Sequence, residues 1–255
     1  MSRAPLTFVD TARSREQGWV VTTPRERARA QTMADITRIG RAHLVEHGAA
    51  ALSLRAVARD LGVVSSAVYR YVRSRDELLT LLVVDGYTEM ADEVDAAVAA
   101  EPADEYVIRF LALGRAVRGW ALREPARYGL LYGTPVPGYA APPEQTVPAG
   151  TRVIATLIDT IEHAWVAGAL TPPDTTAAPP SLEPSFAAIR AEFGLTLPDD
   201  LCARGVFAWA ALFGAVSFEV FDQYGPDTFA DPAALFDHHL DVLAEAVGLR
   251  RPVNT

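Results

Sequence analysis

Arginine, serine and tyrosine side chains gather between residues 53 and 75, a composition that suits contact with nucleic acid. The planar guanidinium of arginine presents donors that match phosphate oxygens and the edge of guanine. The small side chains among them permit close approach to a duplex. Ten residues are therefore expected to contact DNA: Ser53, Arg55, Ser65, Ser66, Ala67, Tyr69, Arg70, Tyr71, Arg73 and Arg75.

Two roles are expected within this set. Arg70, inside the second of two short helices, would reach a base edge and so recognise sequence. Residues at the helix ends would hold phosphates and fix the position of the protein on the duplex. These flanking residues are Ser53, Arg55, Arg73 and Arg75.

Other chemistries have little support in the sequence. The GTPVPG segment lacks the lysine and hydroxyl residue of a phosphate-binding loop, and neither GxSxG nor GxGxxG occurs. His43 and His47 are four residues apart, as two zinc ligands on a helix are, but no third ligand is evident. The adjacent His238 and His239 would point about 100° apart on a helix. A single cysteine, Cys202, gives no zinc framework, so we expect no metal, no cofactor and no enzymatic site.

Charge is distributed unevenly along the chain. The net charge of −9 argues against nucleic-acid binding when the chain is considered whole. However, residues 1–85 hold 13 arginines and 9 acids, whereas residues 86–255 hold 10 arginines and 23 acids. Since every basic residue is arginine, the N-terminal third is the part expected to meet a phosphate backbone.

The N-terminal third begins with an arm and one long helix. Residues 1–22 show no clear period and are expected to form a flexible arm. Thr23 can cap a helix and Pro24 suits its first position. The amphipathic run over 25–47 then ends at Gly48, a good stop signal.

Two short helices follow, over 54–61 and 65–72, joined by a tight turn at Gly62. This arrangement is a helix-turn-helix, in which the second helix enters the major groove. Ser65 is expected to cap that second helix. Ser74 then caps a longer helix that bridges to the rest of the chain.

The segment LSLRAVARDLGVVSSAVYRYVRSRDELL resembles the DNA-binding domain of the TetR/AcrR family, and the resemblance runs from Thr23 to Leu82. The second half resembles a C-terminal domain of the Trp-His-Gly type through RAVRGWALREPARYGLLYGTPVPGY and WAALFGAVSFEVF. Phe213 stands where that type has histidine. The resemblance implies an all-α homodimer. The expected units are the arm at 1–22, a three-helix DNA-binding domain at 23–73, and a helical ligand-binding and dimerisation domain at 74–255.

The apolar pattern remains helical beyond residue 100. Helices are expected over 102–123, 125–133, 149–168 and 198–223, with Pro-rich loops at 134–148 and 171–184 and a short segment at 186–193. Asp231 and Pro232 open a last helix. The resemblance implies that the two final long helices form the dimer interface. Its expected apolar stripes are Val206, Trp209, Leu212, Val216 and Val220, with Leu235, Phe236, Leu240 and Leu243.

A ligand cavity is implied among the middle helices. Eight side chains are candidates for its lining: Trp120, Tyr128, Leu131, Tyr132, His163, Trp165, Trp209 and Phe213. Most are aromatic, and aromatic residues at helical spacing are more often plain core than ligand contacts. His163 would be a polar anchor or an ordinary core histidine.

The sequence thus predicts a cytoplasmic repressor that binds operator DNA as a homodimer and is released by a small apolar effector. No secretory signal is evident, and the uncharged stretch at 205–218 is too short to cross a bilayer. An activator, or a DNA-binding protein that responds to a protein partner, is the alternative. A helical enzyme is the reading with the least support.

Overall fold

The computed structural model describes residues 23–171 and 177–250. Within these residues the chain forms eleven α-helices and two short 3₁₀ turns, with no β-strand. The all-α fold expected from the sequence is confirmed. The expected arm at 1–22, with its three arginines, lies outside the described residues.

Four helices form the N-terminal part and seven follow. The first four are α1 Pro24–His47, α2 Leu54–Asp60, α3 Ser65–Val68 and α4 Arg75–Ala99. The remaining seven are α5 Tyr106–Arg123, α6 Pro125–Tyr132, α7 Pro143–Gly150, α8 Arg152–Val166, α9 Glu183–Phe193, α10 Asp199–Val220 and α11 Pro232–Ala246.

Local signals fix both ends of α1, as expected. The Thr23 hydroxyl accepts a hydrogen bond from the Glu26 amide at 3.2 Å, and the Glu26 carboxylate accepts one from the Thr23 amide at 2.7 Å. This reciprocal pair satisfies two of the amides that a helix start leaves unpaired. At the other end Gly48 has a φ of +74°, which glycine adopts without the steric cost that a side chain brings.

The recognition helix is shorter than the sequence suggested. It ends at Val68, and the chain then turns over residues 69–71, so the expected extent of 65–72 was wrong. The amides of Tyr71 and Val72 both donate to the Val68 carbonyl, and this tight turn brings Val68 and Val72 together into the core. Val64, not Ser65, occupies the capping position, and it provides no side-chain cap. Arg70 therefore lies on the turn after α3.

Helix α7 forms where a proline-rich loop was expected. Pro143 stands in its first turn, where a missing amide costs nothing, and the Thr146 hydroxyl donates to the Pro142 carbonyl at 3.0 Å. Pro148 is accommodated inside this short helix. Helix α5 begins at Tyr106, four residues later than the sequence indicated.

Helix α4 belongs to two hydrophobic cores. Its first half supplies Leu78 and Leu82 to the N-terminal core, which also contains Val57. Its second half supplies Met90 and Val94 to the larger C-terminal core. One continuous helix thus joins the two cores, and the N-terminal core extends past residue 73 into α4.

Helix α10 is, among the described residues, the one helix long and apolar enough to cross a membrane by length and composition. Core helices of soluble proteins meet the same test. In this chain α10 packs against α5, α8, α9 and α11. Its inner side contributes Ala208, Leu212 and Val216 to the C-terminal core.

Candidate functional sites

An apolar seam sets the angle between α2 and α3. Leu54, Val57 and Ala58 on α2 are buried against Val68 on α3. Between the helices Gly62 has a φ of +74°, which favours glycine, and its amide donates to the Arg59 carbonyl at 3.0 Å. The two helices are therefore held as a rigid pair, with the side chains of α3 that point away from the seam left outside.

A polar contact ties α1 to α2. His43 is buried, and its Nε2 lies 2.6 Å from the Asp60 carboxylate. Hydrogen bonds from His43 and then from Arg59 lower the pKa of the Asp60 carboxyl below its ordinary value. His43 thus serves the fold. Within the described ranges, no group of three His, Cys, Asp or Glu side chains is arranged to hold a metal ion.

Nine of the ten residues expected to contact DNA lie on α2, α3 and the turns that flank them, and the tenth, Arg75, is the first residue of α4. The exposed ones are Arg55, Ser66, Tyr69, Arg70 and Arg73, and the half-buried ones are Ser53, Ser65, Ala67, Tyr71 and Arg75. The guanidinium groups of Arg55, Arg70 and Arg73 have no hydrogen bond or ion pair to any part of residues 23–171 and 177–250. Their donors are available to an external acceptor.

Tyr71 and Arg75 are engaged within the protein. The Tyr71 ring packs on the N-terminal core, and the Arg29 guanidinium carbon lies 5.3 Å from its ring centre. Arg75 donates from Nη2 to the carbonyls of Ala49 and Ala50, at 3.0 and 3.2 Å. Arg75 thereby holds the 3₁₀ turn Ala49–Ala51 that leads into α2, and its Nη1 lies 3.6 Å from the Asp76 carboxylate.

A charged cluster joins α1, α4 and α6 behind this surface. Arg127 on α6 is almost fully buried and donates to Asp85 at 2.9 Å and to Glu89 at 2.8 Å, both on α4. Arg41 on α1 approaches the same two carboxylates at 2.6 and 2.8 Å. Burial alone would raise the pKa of Glu89, but Arg127 and Arg41 lower it. We call Arg41, Asp85, Glu89 and Arg127 the charged cluster.

Aromatic rings pack together between α4, α6 and α10. The Tyr132 ring centre lies 4.5 Å from that of Phe213, 5.1 Å from Tyr128 and 5.9 Å from Tyr87. Trp209 lies 4.2 Å from Phe213. The Tyr132 hydroxyl is buried without a hydrogen-bond partner among the described residues, and this burial raises the pKa of Tyr132. We call these five residues the aromatic cluster.

Family models match both halves of the chain. One described as "Bacterial regulatory proteins, tetR family" matches residues 36–82, and one described as "Tetracyclin repressor-like, C-terminal domain" matches residues 110–243. The chain belongs to the TetR family. Its helix-turn-helix is the DNA-binding element of a transcriptional regulator, and the two C-terminal segments that carry the resemblance lie inside the second match.

Relatives of this TetR-family chain are transcriptional regulators. HTH-type transcriptional regulator Rv1816 of Mycobacterium tuberculosis is 50% identical over 213 residues, which are 84% of this chain and 91% of that protein. Regulatory protein SCO4313 is 34% identical, with a TM-score of 0.71 over 88% of this chain and 100% of that one. A protein of unknown function from Rhodococcus sp. RHA1, 21% identical with a TM-score of 0.64 over 91% of this chain and 100% of that one, supports the fold alone.

The eight ligand candidates of this TetR-family chain fall into separate places. Four of them belong to the aromatic cluster: Tyr128, Tyr132, Trp209 and Phe213. Phe213, which replaces the histidine of the Trp-His-Gly type, packs against the rings of Tyr132 and Trp209. Leu131 lies against Gly86 of α4, and Trp120 is fully buried, donating to Glu89 at 3.3 Å. His163 and Trp165 are exposed near the end of α8. The structure therefore does not bring those two to the cluster.

The apolar face that this TetR-family chain leaves exposed differs from the expected stripes. Leu212, Val216, Phe236 and Leu240 are buried inside the protomer, so their assignment to a surface between copies was wrong. The exposed large apolar side chains of α10 and α11 are Val206, Phe207, Phe218 and Val242. An open groove of about 320 Å³ runs between the two helices. It is lined by Ala211, Gly214, Ala215, Phe218, Tyr224, His239, Val242 and Leu243.

The charged cluster was not predicted from the sequence. Arg41, Asp85 and Glu89 stand on the polar side of amphipathic helices, where solvated charges are ordinary. Only the EPAR sequence at 124–127 offered a signal, since Arg127 falls in the first turn of a short helix otherwise rich in apolar residues.

Proposed function

We propose that this TetR-family regulator represses transcription as a homodimer on operator DNA and leaves the operator when a small apolar molecule binds its C-terminal domain. The observation that carries the proposal is the course of α4 through both cores, with the charged cluster fastening α1 and α6 to it. A change in the C-terminal helices can therefore alter the position of the DNA-binding helices.

DNA contact is assigned to the outer side of α2, α3 and the following turn. Arg70 would reach a base edge in the major groove, because it is exposed and has no partner among the described residues. Arg55 and Arg73 would hold phosphates on either side. The small Ser66 and Ala67 let α3 approach the base pairs closely. Arg75 would add a phosphate contact from the donors that do not bond to the Ala49–Ala51 turn, with Nη1 exchanging its 3.6 Å ion pair with Asp76 for a phosphate.

Assembly as a homodimer is supported by the exposed apolar face of α10 and α11. Phe207, Phe218 and Val242 would be costly to leave in water and suit an isologous contact between two copies. A dimer that binds two successive major grooves needs its recognition elements about 34–36 Å apart. The two copies would then contact a palindromic operator.

Release from DNA would be a population shift between two arrangements of the dimer. The charged cluster holds α6 and α1 at fixed positions on α4, and Arg127 can keep its partners only if α6 and α4 move together. A ligand that binds more tightly to an arrangement with a different spacing of the recognition elements would lower operator affinity. The residues of the aromatic cluster, Trp120, Leu131, His163 and Trp165 remain candidates for contact with that ligand.

Duplex selection tests the DNA-binding part of the proposal. Recovered duplexes should share a palindrome, and affinity for it should fall steeply with salt, because bound arginines release counterions from the backbone. The measurement is fluorescence anisotropy at several salt concentrations. Failure to select any palindrome, or an affinity that does not respond to salt, would contradict it.

A cell-free transcription assay tests repression and release. Added protein should lower transcription from a template that carries the selected palindrome, and compounds that raise the thermal midpoint of the protein should restore it. Stimulation by the protein alone would show an activator. Stabilising compounds that leave transcription unchanged would contradict release by a ligand.

The cytoplasm is the proposed location, since the operator must be accessible. The course of α10 through the C-terminal core agrees with a soluble protein.

A further inference from the structure

A second apolar space lies among helices that carry none of the charged cluster. Helices α8, α9 and α10 and the segment that joins the last two line a cavity of about 130 Å³ that is partly open to solvent. Its wall consists of Ile154, Ile158, Ile161, Ile189, Phe193, Leu195, Leu197, Leu201, Cys202, Gly205 and Val206. None of the eight ligand candidates from the sequence belongs to this wall.

The chemistry of the wall is almost entirely hydrocarbon. Cys202 brings the one side-chain heteroatom, and its thiol donates to the Leu197 carbonyl at 3.8 Å. No charged or amide side chain lines the cavity. A ligand with a charge would lose its hydration and gain no partner, so the wall favours an uncharged apolar group.

Polar bonds fix the segment that borders the cavity between α9 and α10. The Glu162 carboxylate on α8 accepts from the amides of Thr196 and Leu197, at 2.9 and 3.2 Å, and from the Thr196 hydroxyl at 2.6 Å. Arg190 on α9 bonds to Asp199 at the start of α10. These contacts hold the segment between α9 and α10 in place, so the cavity has a defined shape.

We propose that this cavity binds an uncharged hydrocarbon group of about six carbon atoms, such as a single aromatic ring. Given the ligand-released function proposed above, on which this step rests, it is the place where the effector acts. The size follows from comparison with cavities of about 150 Å³ lined by Leu, Ile and Phe, which accept benzene. A larger ligand would have to displace α9. That helix makes its main contacts with α10 and with the neighbouring 3₁₀ turn Pro180–Leu182.

Helix α8 connects this cavity to α4. One side of α8 presents Ile154 and Ile158 to the cavity. From the same helix Arg152 bonds to Asp92 at 2.7 Å and to Asp95 at 2.5 Å, and both acids lie on α4. Thr156 donates to Asp95 at 2.9 Å. An outward displacement of α8 by a ligand would therefore pull on α4, the helix that enters the DNA-binding core.

Isoleucine methyl groups provide a direct test, because the chain contains seven isoleucines and four of them line the cavity. The other three are Ile36, Ile39 and Ile108. Toluene should shift the δ1-methyl resonances of the cavity isoleucines in a saturable manner and leave the other three unchanged. Benzoate, similar in size but charged, should shift none of them at the same concentration.

Two glycine positions provide matched variants. A Cβ at Gly205 would lie 3.8 Å from Ile161, so Gly205→Ala narrows the cavity without a clash, and Gly205→Leu fills most of it. A Cβ at Gly119, on α5, would meet only the end of the Arg123 side chain at 3.3 Å. Gly205→Leu should abolish the toluene shifts, Gly205→Ala should weaken toluene affinity several-fold, and Gly119→Leu should leave it within twofold of the wild type.

The outcomes separate this site from the function on which it rests. Shifts spread evenly over all seven isoleucines, or retained in Gly205→Leu, would overturn the site. If the four cavity methyl groups respond but toluene leaves operator affinity unchanged, the cavity binds hydrocarbon and the effector role is wrong. Release of the operator by toluene without any response of these methyl groups would support ligand release and place the effector elsewhere.

Discussion

Arginine has two different roles in the two halves of this regulator. On the helix-turn-helix and the turn that follows it Arg55, Arg70 and Arg73 are exposed, and their side chains have no partner within residues 23–171 and 177–250. In the C-terminal half most of the described arginines bond to carboxylates on other helices. Five of these are Arg115, Arg118, Arg123, Arg152 and Arg190.

The difference explains how an acidic chain can bind DNA. A paired arginine contributes to the fold but offers little net positive potential, because its charge is balanced at contact distance. An unpaired, exposed arginine can approach a phosphate or a base without first breaking a bond within the protein. The net charge of −9 therefore says less about the helix-turn-helix than the pairing of each arginine does.

The largest effect should come from the most deeply buried paired arginine. Arg127→Met removes a buried cation and leaves Asp85 and Glu89 undercompensated, so we expect it to lower the free energy of unfolding by about 3–5 kcal/mol. Arg115→Met is the matched control. Its pair with Asp237 is half exposed, and its loss should cost less than about 1 kcal/mol. Urea unfolding of both variants measures the difference. Equal losses of unfolding free energy would contradict the larger contribution expected of Arg127.

Acid provides a second check on the same cluster. The pKa of Glu89 is lowered in the folded state, so its contribution to stability is complete above the ordinary value of a glutamate and is lost as pH falls through the lower folded value. Arg127 is a principal cause of the lowered pKa of Glu89. Arg127→Met should therefore reduce the stability that the protein loses as pH falls, whereas Arg115→Met should leave that loss unchanged. Unfolding curves at several acidic pH values compare the two.

Dimer formation is the next largest expected effect. Phe218→Glu places a charge in the exposed groove between α10 and α11 and should raise the dimer dissociation constant about a hundredfold, ~2.7 kcal/mol. Val166→Glu is the control, since Val166 is also an exposed apolar residue but lies at the end of α8, outside that groove. Sedimentation at micromolar concentration should show monomer for the first variant only. A dimer that survives Phe218→Glu would assign association to another face.

Substitution of Arg70 and substitution of Arg75 should change DNA binding in different ways. Arg70→Ala should lose about 1–3 kcal/mol of binding free energy and relax preference at one operator position. Arg75→Ala should weaken binding to all duplexes alike and reduce the salt slope by about one unit. Titrations on the operator and its single-base variants measure both. An unchanged salt slope in Arg75→Ala would show that Arg75 serves only the turn at Ala49–Ala51, and a uniform loss in Arg70→Ala would remove its base-reading role.

Capping and turn residues made most of the N-terminal fold predictable. Thr23, Pro24 and Gly48 bound α1 as expected, because each acts through its own backbone and needs no distant partner. The end of α3 was missed because Val68 and Val72 suit either a longer helix or a turn that brings both into the core. Proline content concealed α7, although its first proline stands where a helix tolerates one.

Contacts between distant helices were the part that the sequence could not provide. Helix α10 is apolar on several sides, so its periodicity does not show which side packs in the protomer, and Leu212 and Val216 were placed on the wrong one. The cavity wall is made of ordinary core residues such as Ile158 and Leu201, and nothing in their types shows where packing leaves a space. The aromatic cluster was partly anticipated, since large rings on neighbouring helices tend to meet.

The smallest expected effect concerns two serines at helix starts. One hydroxyl is bonded within the protein and the other is available to an external acceptor, which is the same contrast that the arginines show. The Ser74 hydroxyl accepts from the Glu77 amide at 3.1 Å, whereas the Ser53 hydroxyl makes no capping bond at the start of α2. Ser74→Ala should therefore lower the free energy of unfolding by about 1 kcal/mol, and Ser53→Ala by less than about 0.5 kcal/mol. On DNA the order should reverse, because an unbonded hydroxyl at a helix start can donate to a phosphate for about 0.5–1.5 kcal/mol. Thermal unfolding and operator titration of the two variants measure both quantities, and a Ser53→Ala variant that loses stability but keeps its affinity would show that Ser53 serves the fold and not the operator.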